Sequence, residues 1–322
     1  MMKRRSIISA AAVLAGSALA GGALAQEPGG RPVRLVIPFG AGTSTDIVGR
    51  TLAEALGRQL GQVVIVDNRP GAGGTLGSDL VAKAVGDGQT LLLGTVGTHA
   101  INATLFKRLS YDPLRDFVPL GFVGATPTFL VVPVTSPWKN LADLRAARDE
   151  RVSFASAGNG TSGHLAGEMV NARLGKSFLH VPYRDGGQAL TELIAGNVQF
   201  MFYHPAAVLP HMRAGRLRAL GVSSAKRSAA APDVPTLAEQ GLPGFDLVAW
   251  FMLYAPSGLE SGQRERLRDV VRQVLARPDV REKLLGQGIE PTDMNGEQMT
   301  AFGATEVTKW GEAVRRSGAQ LD

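Results

Sequence analysis

The residues best suited to bind a ligand lie between an apolar run and a helical pattern near the N-terminus. This segment, residues 38–46, combines glycine with three consecutive hydroxyl side chains. Glycine lets the backbone approach a ligand, and a helix start offers unpaired N–H groups with partial positive charge. The pattern fits an anion site without Arg or Lys, and fits equally well a glycine-rich turn capped by Ser44 or Thr45. Its candidate binding residues are Phe39, Ala41, Gly42, Thr43, Ser44, Thr45 and Asp46.

A second segment of the same kind, residues 155–164, again joins an apolar run to a helical pattern. Its candidate binding residues are Ser156, Gly158, Gly160 and Thr161. With Gly163 it also matches G-x-G-x-x-G, and Asp185 lies at a distance suited to a ribose contact. That match is weak evidence, because a hydroxyl-rich loop holds a carboxylate as readily as a pyrophosphate. Residues 94–99 end a predicted strand and add Gly97, Thr98 and His99, although Thr98 fits a plain helix N-cap equally well.

Patterns typical of catalysis and metal binding are missing from the sequence. No G-x-S-x-G elbow occurs, and the 162–164 segment places serine and histidine adjacent in sequence rather than opposed in space. The five histidines show no metal-ligand spacing. We expect Asp46 to fix its loop or stabilise its helix. The sequence therefore predicts no catalytic residue, no metal site and no cofactor.

The composition indicates a folded protein of two domains, since 322 residues exceed the usual size of one. Hydrophobic residues make up 44% and charged residues 19%, which excludes general disorder. The sequence contains no Cys. Disulfides, thiolate metal sites, thiol nucleophiles and lipid attachment through cysteine are thereby excluded.

Residues 1–25 have the pattern of a signal peptide: a basic start, a small and apolar stretch, and an A-x-A site before Gln26. The alternatives are an N-terminal anchor helix, for which the stretch is short, and a twin-arginine signal at Arg4 and Arg5. Removal of this segment leaves 31 basic and 28 acidic residues, a net charge near +3. The sequence thus predicts a periplasmic protein and gives no support for nucleic-acid binding.

The rest of the chain alternates apolar runs with helical patterns, which is typical of α/β layers with mostly parallel strands. Strands are predicted at 33–39, 63–66, 90–93, 152–156, 178–183, 198–203 and 217–222. Helices are predicted from about 44 to 60 and at 73–85, 140–148, 164–174, 188–195, 263–275 and 297–315.

Two further apolar runs, residues 129–133 and 247–254, bracket the second set of alternating elements. We interpret them as two chain crossings between lobes. The first lobe would then comprise residues 26–128 and 249–322, and the second residues 129–248. A cleft between such lobes is the natural ligand site.

Several segments together resemble the tripartite tricarboxylate transporter receptor family, also called Bug proteins. They are residues 39–50, 67–74, 97–102, 156–164, 180–183 and 225–236. The resemblance implies a two-lobed type II periplasmic binding-protein fold and capture of small organic carboxylates by main-chain amides, hydroxyls and ordered water. It also places Tyr183 and Tyr203 among the candidate binding residues. Inner-membrane transporter subunits are the implied partners.

Two departures from the family pattern bear on specificity. Relatives often have Gly-Gly-Gly-Thr-Asp where this chain has residues 42–46, so hydroxyl side chains replace hydrogens here. Relatives often carry Asp-Asn where this chain has Tyr203 and His204. The missing carboxylate argues against an amino-acid ligand, whose ammonium group would lack a partner.

The expected function is that of a monomeric periplasmic receptor without catalytic activity. It would capture a small mono-, di- or tricarboxylate, possibly aromatic, for a tripartite tricarboxylate-type transporter. The alternatives are a carboxylate sensor that feeds a signalling partner and, with less support, a nucleotide-dependent enzyme on the Gly158 loop.

Overall fold

The computed structural model describes residues 30–317. The predicted signal peptide and its cleavage point lie outside the described residues. Within residues 30–317, no helix is long and apolar enough to cross a membrane.

The first sheet contains five strands in the order β2-β1-β3-β10-β4. Their bounds are β1 Val33–Ile37, β2 Val64–Asn68, β3 Thr90–Thr95, β4 Phe117–Pro127 and β10 Val248–Pro256. β1 pairs in parallel with β2 and β3, whereas β10 runs antiparallel to β3 and β4. The sheet, with the helices that pack on it, forms the first lobe.

The second sheet repeats this arrangement in the order β7-β6-β8-β5-β9. Its strands are β5 Phe129–Pro133, β6 Ser153–Ser156, β7 Leu179–Pro182, β8 Phe200–Tyr203 and β9 Leu217–Val222. β6 pairs in parallel with β7 and β8, and β5 runs antiparallel to β8 and β9. Four strands of each sheet run in one direction, as predicted, and the sheets are mixed because the two predicted crossing segments form the antiparallel strands β5 and β10.

The helices cover the faces of the two sheets. They are α1 Ser44–Leu60, α2 Thr75–Ala82, α3 Asn102–Leu105, α4 Leu141–Ala146, α5 Ser162–Leu174, α6 Gly186–Ile194, α7 Pro205–Arg213, α8 Ser261–Ala276, α9 Pro278–Gly286 and α10 Gly296–Ser317. In α1, Val48, Leu52 and Leu56 recur at helical spacing and are buried in the first lobe. The helix ends at Gly61, which adopts the left-handed conformation that favours glycine.

Four elements, β4, α3, α7 and α9, were not predicted from the pattern. With four residues, α3 is too short to show a helical period. β4 is interrupted by Pro119, Gly121 and Gly124, and it lies at a sheet edge, where proline is tolerated. α7 begins with Pro205 and contains Pro210. Proline normally argues against a helix interior, so the pattern gave no sign of α7. α9 follows α8 after a single residue, which hid the break between them.

The chain crosses between the sheets at Thr128 and again along residues 223–247. The Ser223 hydroxyl joins these crossings. Its oxygen accepts hydrogen bonds from the Thr128 N–H (2.9 Å) and hydroxyl (3.0 Å), and it donates to the Leu247 carbonyl (2.6 Å). Thr128, Ser223 and Leu247 are all buried. The Ser223 main chain joins them as well, since its N–H donates to the Thr128 carbonyl (2.9 Å) and its carbonyl accepts the Leu247 N–H (2.8 Å). One residue thus holds both connections side by side.

The C-terminal helix α10 returns to the first lobe, where it packs on β4 and α3. Buried Glu306 of α10 accepts hydrogen bonds from the indole N–H groups of Trp250 (2.8 Å) and Trp310 (2.7 Å). The N-terminal and C-terminal parts of the chain therefore share one lobe. The residue numbers assigned to the lobe boundaries stay a prediction.

We expect Ser223→Ala to lower the free energy of unfolding by about 2 to 4 kcal/mol, because it leaves buried polar groups of Thr128 and Leu247 without partners. Urea unfolding followed by circular dichroism measures the change. The matched control is Ser224→Ala at the half-buried neighbour, whose hydroxyl donates to the carbonyl of exposed Lys226 (2.6 Å) and which should lose no more than about 1 kcal/mol. Equal losses in both variants would contradict a special role for Ser223.

Candidate functional site

The loop after β1 is organised by Thr43. Its backbone is extended (φ −73°, ψ 162°), and its hydroxyl oxygen accepts the Asp46 N–H (3.3 Å) and donates to the Gly40 carbonyl (2.7 Å). Thr43 is therefore the N-cap of α1, rather than Ser44 or Thr45 as predicted, because only Thr43 has extended backbone in front of the helix. The N–H groups of Ser44 and Thr45, first in the helix, have no acceptor within it.

Asp46 fixes this loop from inside. Its carboxylate accepts hydrogen bonds from the Gly42 N–H (2.9 Å), Arg50 Nε (2.9 Å) and Asn68 Nδ2 (3.0 Å). Burial of Asp46 opposes ionisation, but these hydrogen bonds outweigh it and lower the pKa of Asp46. Asn68 Nδ2 also donates to the Phe39 carbonyl (2.9 Å), which ties the end of β2 to the same loop. These contacts are those of a loop-fixing carboxylate.

The loop after β6 repeats this geometry. Thr161 is extended (φ −87°, ψ 158°) and caps α5, and its hydroxyl accepts the His164 N–H (3.4 Å) and donates to the Gly158 carbonyl (2.8 Å). The N–H groups of Ser162 and Gly163 are again the first two of the helix. We refer to Ser44, Thr45, Ser162 and Gly163, which supply these four N–H groups, as the two-helix anion site.

All four of these residues line one cavity between the lobes, with about 470 Å³ of space outside protein atoms, part of it open to solvent. The predicted site residues that line it are Phe39, Ser44, Thr45, Gly97, Thr161 and Tyr203. Sequence reasoning missed Thr95, Val96, Ala157, Ser162, Gly163, Phe202, His204, Ala249, Trp250 and Phe251. None of the described residues that line the cavity is Lys, Arg, Asp or Glu.

The other predicted site residues do not line this cavity: Ala41, Gly42, Thr43, Asp46, Thr98, His99, Ser156, Gly158, Gly160 and Tyr183. Thr98 lies inside a π-helical turn, Gly97–Ile101, and is not an N-cap. Its hydroxyl accepts the Thr95 N–H (3.0 Å) and donates to the Thr95 carbonyl (3.1 Å). His99 is buried, with its ring stacked on Tyr254 at a centroid distance of 4.0 Å. These two side chains hold the end of β3.

His164, Glu168 and His180 form a cluster that sequence spacing did not reveal, with one ligand atom of each within 4.8 Å of the others. The two imidazole rings are stacked, with centroids 4.2 Å apart and planes at 21°. A metal ion lies close to the plane of each imidazole it binds, so nearly parallel stacked rings cannot both bind one ion unless a ring turns. Each ring already has a loop partner: Gly160 N–H donates to His164 Nδ1 (3.3 Å), and His180 Nε2 lies 2.7 Å from Ser156 Oγ. The cluster supports the loop of residues 157–161.

His204 and Ser162 meet inside the cavity, with 3.1 Å between His204 Nε2 and Ser162 Oγ. Burial lowers the pKa of His204 to about 4, and the nearby Pro127 carbonyl opposes this only in part. The ring is therefore neutral at pH 7. His204 Nδ1 has no hydrogen bond of good geometry among the described residues. The sequence signal for His204 was its departure from the family pattern.

The lobes touch around the cavity, so the structure represents a closed arrangement. Gly73 of the first lobe has φ +62°, and a Cβ atom there would lie 2.1 Å from the Asn159 carbonyl oxygen of the second. A Cβ at Gly160 would lie 2.0 Å from Asn102 Oδ1. Asn102 Nδ2 in turn donates to the Gly73 carbonyl (3.1 Å). Only glycine permits this close approach of the two backbones.

A protein-family model, Tripartite tricarboxylate transporter family receptor, matches residues 48–319. The chain belongs to the tripartite tricarboxylate transporter receptor family. It is 38% identical over 298 residues to Protein BugT of Bordetella pertussis, covering 90% of each chain. The predicted family resemblance is thereby confirmed.

Solved structures of similar proteins agree with this assignment. The periplasmic binding protein BugD superposes with a TM-score of 0.87 at 32% identity, covering 91% of this chain and 99% of BugD. R. palustris Rpa4515 with adipate gives a TM-score of 0.86 at 32% identity, covering 90% of this chain and 99% of that one. The receptor thus has the predicted two-lobed periplasmic binding-protein fold.

The buried His99 makes stability depend on pH. Burial lowers the pKa of His99 to about 3 from an ordinary value of 6.5, so below pH 6.5 only the unfolded chain takes up this proton. Stability must then fall as the pH falls from 6.5 towards 3. Between pH 7 and pH 5 the loss is about 2 kcal/mol for one such histidine.

We therefore expect His99→Gln to reduce the difference in unfolding free energy between pH 7 and pH 5 by about 2 kcal/mol. Urea unfolding of each variant at both pH values measures this difference. A change in stability that is the same at pH 7 and pH 5 cancels. His211→Gln, at a less buried histidine, should reduce it by less. An unaltered pH dependence in His99→Gln would show that the ring becomes protonated in the folded state.

Proposed function

We propose that the protein is a periplasmic receptor that captures a small organic carboxylate and delivers it to a tripartite tricarboxylate-type transporter. One observation carries this proposal: the first turns of two helices, one from each lobe, line a single cavity with no charged side chain. The helix dipoles supply positive potential there, so an anion is favoured. The adipate bound by the structural neighbour Rpa4515 supports the same ligand class.

The binding energy available is sufficient for capture at low concentration. Hydrogen bonds to a charged group contribute about 1.5 to 3 kcal/mol each, so four of them, from helix N–H groups and lining hydroxyls together, give about 6 to 12 kcal/mol before the cost of association. Micromolar affinity requires about 8 kcal/mol. The small cavity and its aromatic walls are suited to a compact ligand with an apolar body.

The predicted site residues then divide into two groups. We propose that Phe39, Ser44, Thr45, Gly97, Thr161 and Tyr203 form the wall against the ligand. The other predicted residues, among them Tyr183, hold the loops in place. Closure of both lobes around the ligand would create the surface that the inner-membrane transporter subunits recognise.

Export and the absence of catalysis complete the proposal. The pattern of residues 1–25 supports cleavage near Ala25 and release into the periplasm, where the receptor would act as a monomer. BugT and BugD are similar over nearly the whole chain, and BugD is a periplasmic binding protein. We propose binding without chemical conversion of the ligand and without a cofactor.

The α5 end of the two-helix anion site can be tested by removing one N–H group. Ser162→Pro deletes the first N–H of α5 and the hydroxyl, whereas Ser162→Ala deletes the hydroxyl alone. Proline is tolerated at this helix position, and Thr161 already has the extended backbone that precedes proline. We expect Ser162→Pro to bind the best carboxylate about tenfold more weakly than Ser162→Ala, measured by calorimetry. Equal affinities would place the carboxylate elsewhere.

The uncharged lining also predicts discrimination against amino acids. An ammonium group in this cavity would find no carboxylate among the described lining residues, and an unpaired buried charge costs more than about 1 to 3 kcal/mol. We expect propionate to bind at least tenfold more tightly than alanine, and succinate more tightly than aspartate. A calorimetric panel measures this, and tighter binding of the amino acids would refute it.

A further inference from the structure

Tyr203 reaches across the cleft to the first helix of the other lobe. It is the last residue of β8 in the second lobe, it is buried, and it lines the cavity together with Ser44. Its hydroxyl lies close to the Ser44 backbone N–H, the first of α1, and to the Ser44 hydroxyl. The Ser44 hydroxyl makes no hydrogen bond among the described residues. The Tyr203 hydroxyl therefore lies at the α1 end of the two-helix anion site.

The start of α6 confines the Tyr203 hydroxyl to this position. A Cβ atom at Gly186 would lie 1.9 Å from the hydroxyl oxygen, so only glycine leaves room for it. Asp185, the N-cap of α6, lies near enough to oppose ionisation of Tyr203. Burial has the larger effect and raises the pKa of Tyr203, so the group is a neutral hydroxyl. The Tyr203 hydroxyl therefore lies between α1 and α6 without adding charge.

We infer that Tyr203 occupies the α1 end of the two-helix anion site, so that the receptor selects monocarboxylates over dicarboxylates. This inference rests on the proposed function. A ligand carboxylate is then bound at the α5 end, by the N–H groups of Ser162 and Gly163. A second carboxylate at the other end would have to displace the Tyr203 hydroxyl or lie unpaired among aromatic rings.

The remaining lining suits the apolar body of such a ligand. Phe39, Phe202, Trp250 and Phe251 line the cavity, and His204, whose ring is neutral, lies 5.7 Å from the Phe251 ring. Aromatic rings favour an alkyl or aryl chain and offer nothing to a second negative charge. The ligand class is therefore a short aliphatic or aromatic monocarboxylate.

Two matched ligand pairs test the inference on the unaltered protein. Butyrate and succinate share four carbons, and hexanoate and adipate share six, so each pair differs in one carboxylate. We expect the monocarboxylate of at least one pair to bind tenfold or more tightly than its partner, by calorimetry. If the dicarboxylates bind as well or better, the inference is wrong while the proposed function stands. If no carboxylate binds, the proposed function itself fails.

Two substitutions then test whether Tyr203 causes the preference. Tyr203→Phe removes the hydroxyl and keeps the ring, and Gly186→Ala forces the hydroxyl away from its position without altering Tyr203. Both should shift the ratio of monocarboxylate to dicarboxylate affinity at least tenfold towards the dicarboxylate. Because the two variants act at different residues, misfolding of one leaves the other as a test.

Gly187→Ala is the control, since a Cβ atom there meets Asp185 and Ala41 at 3.2 Å and 3.7 Å but not Tyr203. Its affinity ratio should equal that of the parent. A parental ratio in a folded Tyr203→Phe or Gly186→Ala protein would overturn the assignment to Tyr203. An equal shift in Gly187→Ala would also overturn it, since the shift would then come from α6 and not from the hydroxyl.

Discussion

Ser223 holds the two chain crossings side by side, through its hydroxyl and its main chain, at the place where the chain passes between the lobes. Thr128 leads into the second sheet and Leu247 leads out of it, and both bond to the same buried oxygen. Because β5 and β10 begin at these crossings, each enters its sheet antiparallel to its neighbours. The loops after β1 and β6 are thereby brought to opposite walls of one cavity.

The described lining of the cavity combines two helix N-termini with no charged side chain, an arrangement that favours an anion. Threonine caps at residues 43 and 161 each satisfy one N–H of the first turn, and the N–H groups nearer the helix start have no acceptor inside the helix. The carboxylate of Asp46, which fixes the loop after β1, lies outside the lining. There Arg50 forms an ion pair with it and Asn68 donates a hydrogen bond to it. This separation keeps negative charge out of the cavity and positive potential in it.

Neutral polar groups from the second lobe complete the lining. His204 and Tyr203 come from the end of β8, where the chain carries neither a carboxylate nor an amide. Burial keeps the imidazole uncharged and the phenol protonated. Two adjacent side chains thus shape the cavity by hydrogen bonding and volume rather than by charge. Ligand selection therefore depends on few positions, Tyr203 and His204 among them.

The sequence alone determined the alternation of strands and helices, the two glycine and hydroxyl loops, and the family, because these depend on local periodicity and on motifs. It did not reveal β4 and α7, whose interior prolines and glycines are tolerated only in their tertiary setting, nor the four-residue α3 and the break between α8 and α9. Nor could it show that Thr43 is the cap or that Ser162, His204 and Trp250 line one cavity with Phe39. Those residues are far apart in the chain, and only the packing of two lobes across the Ser223 contact brings them together.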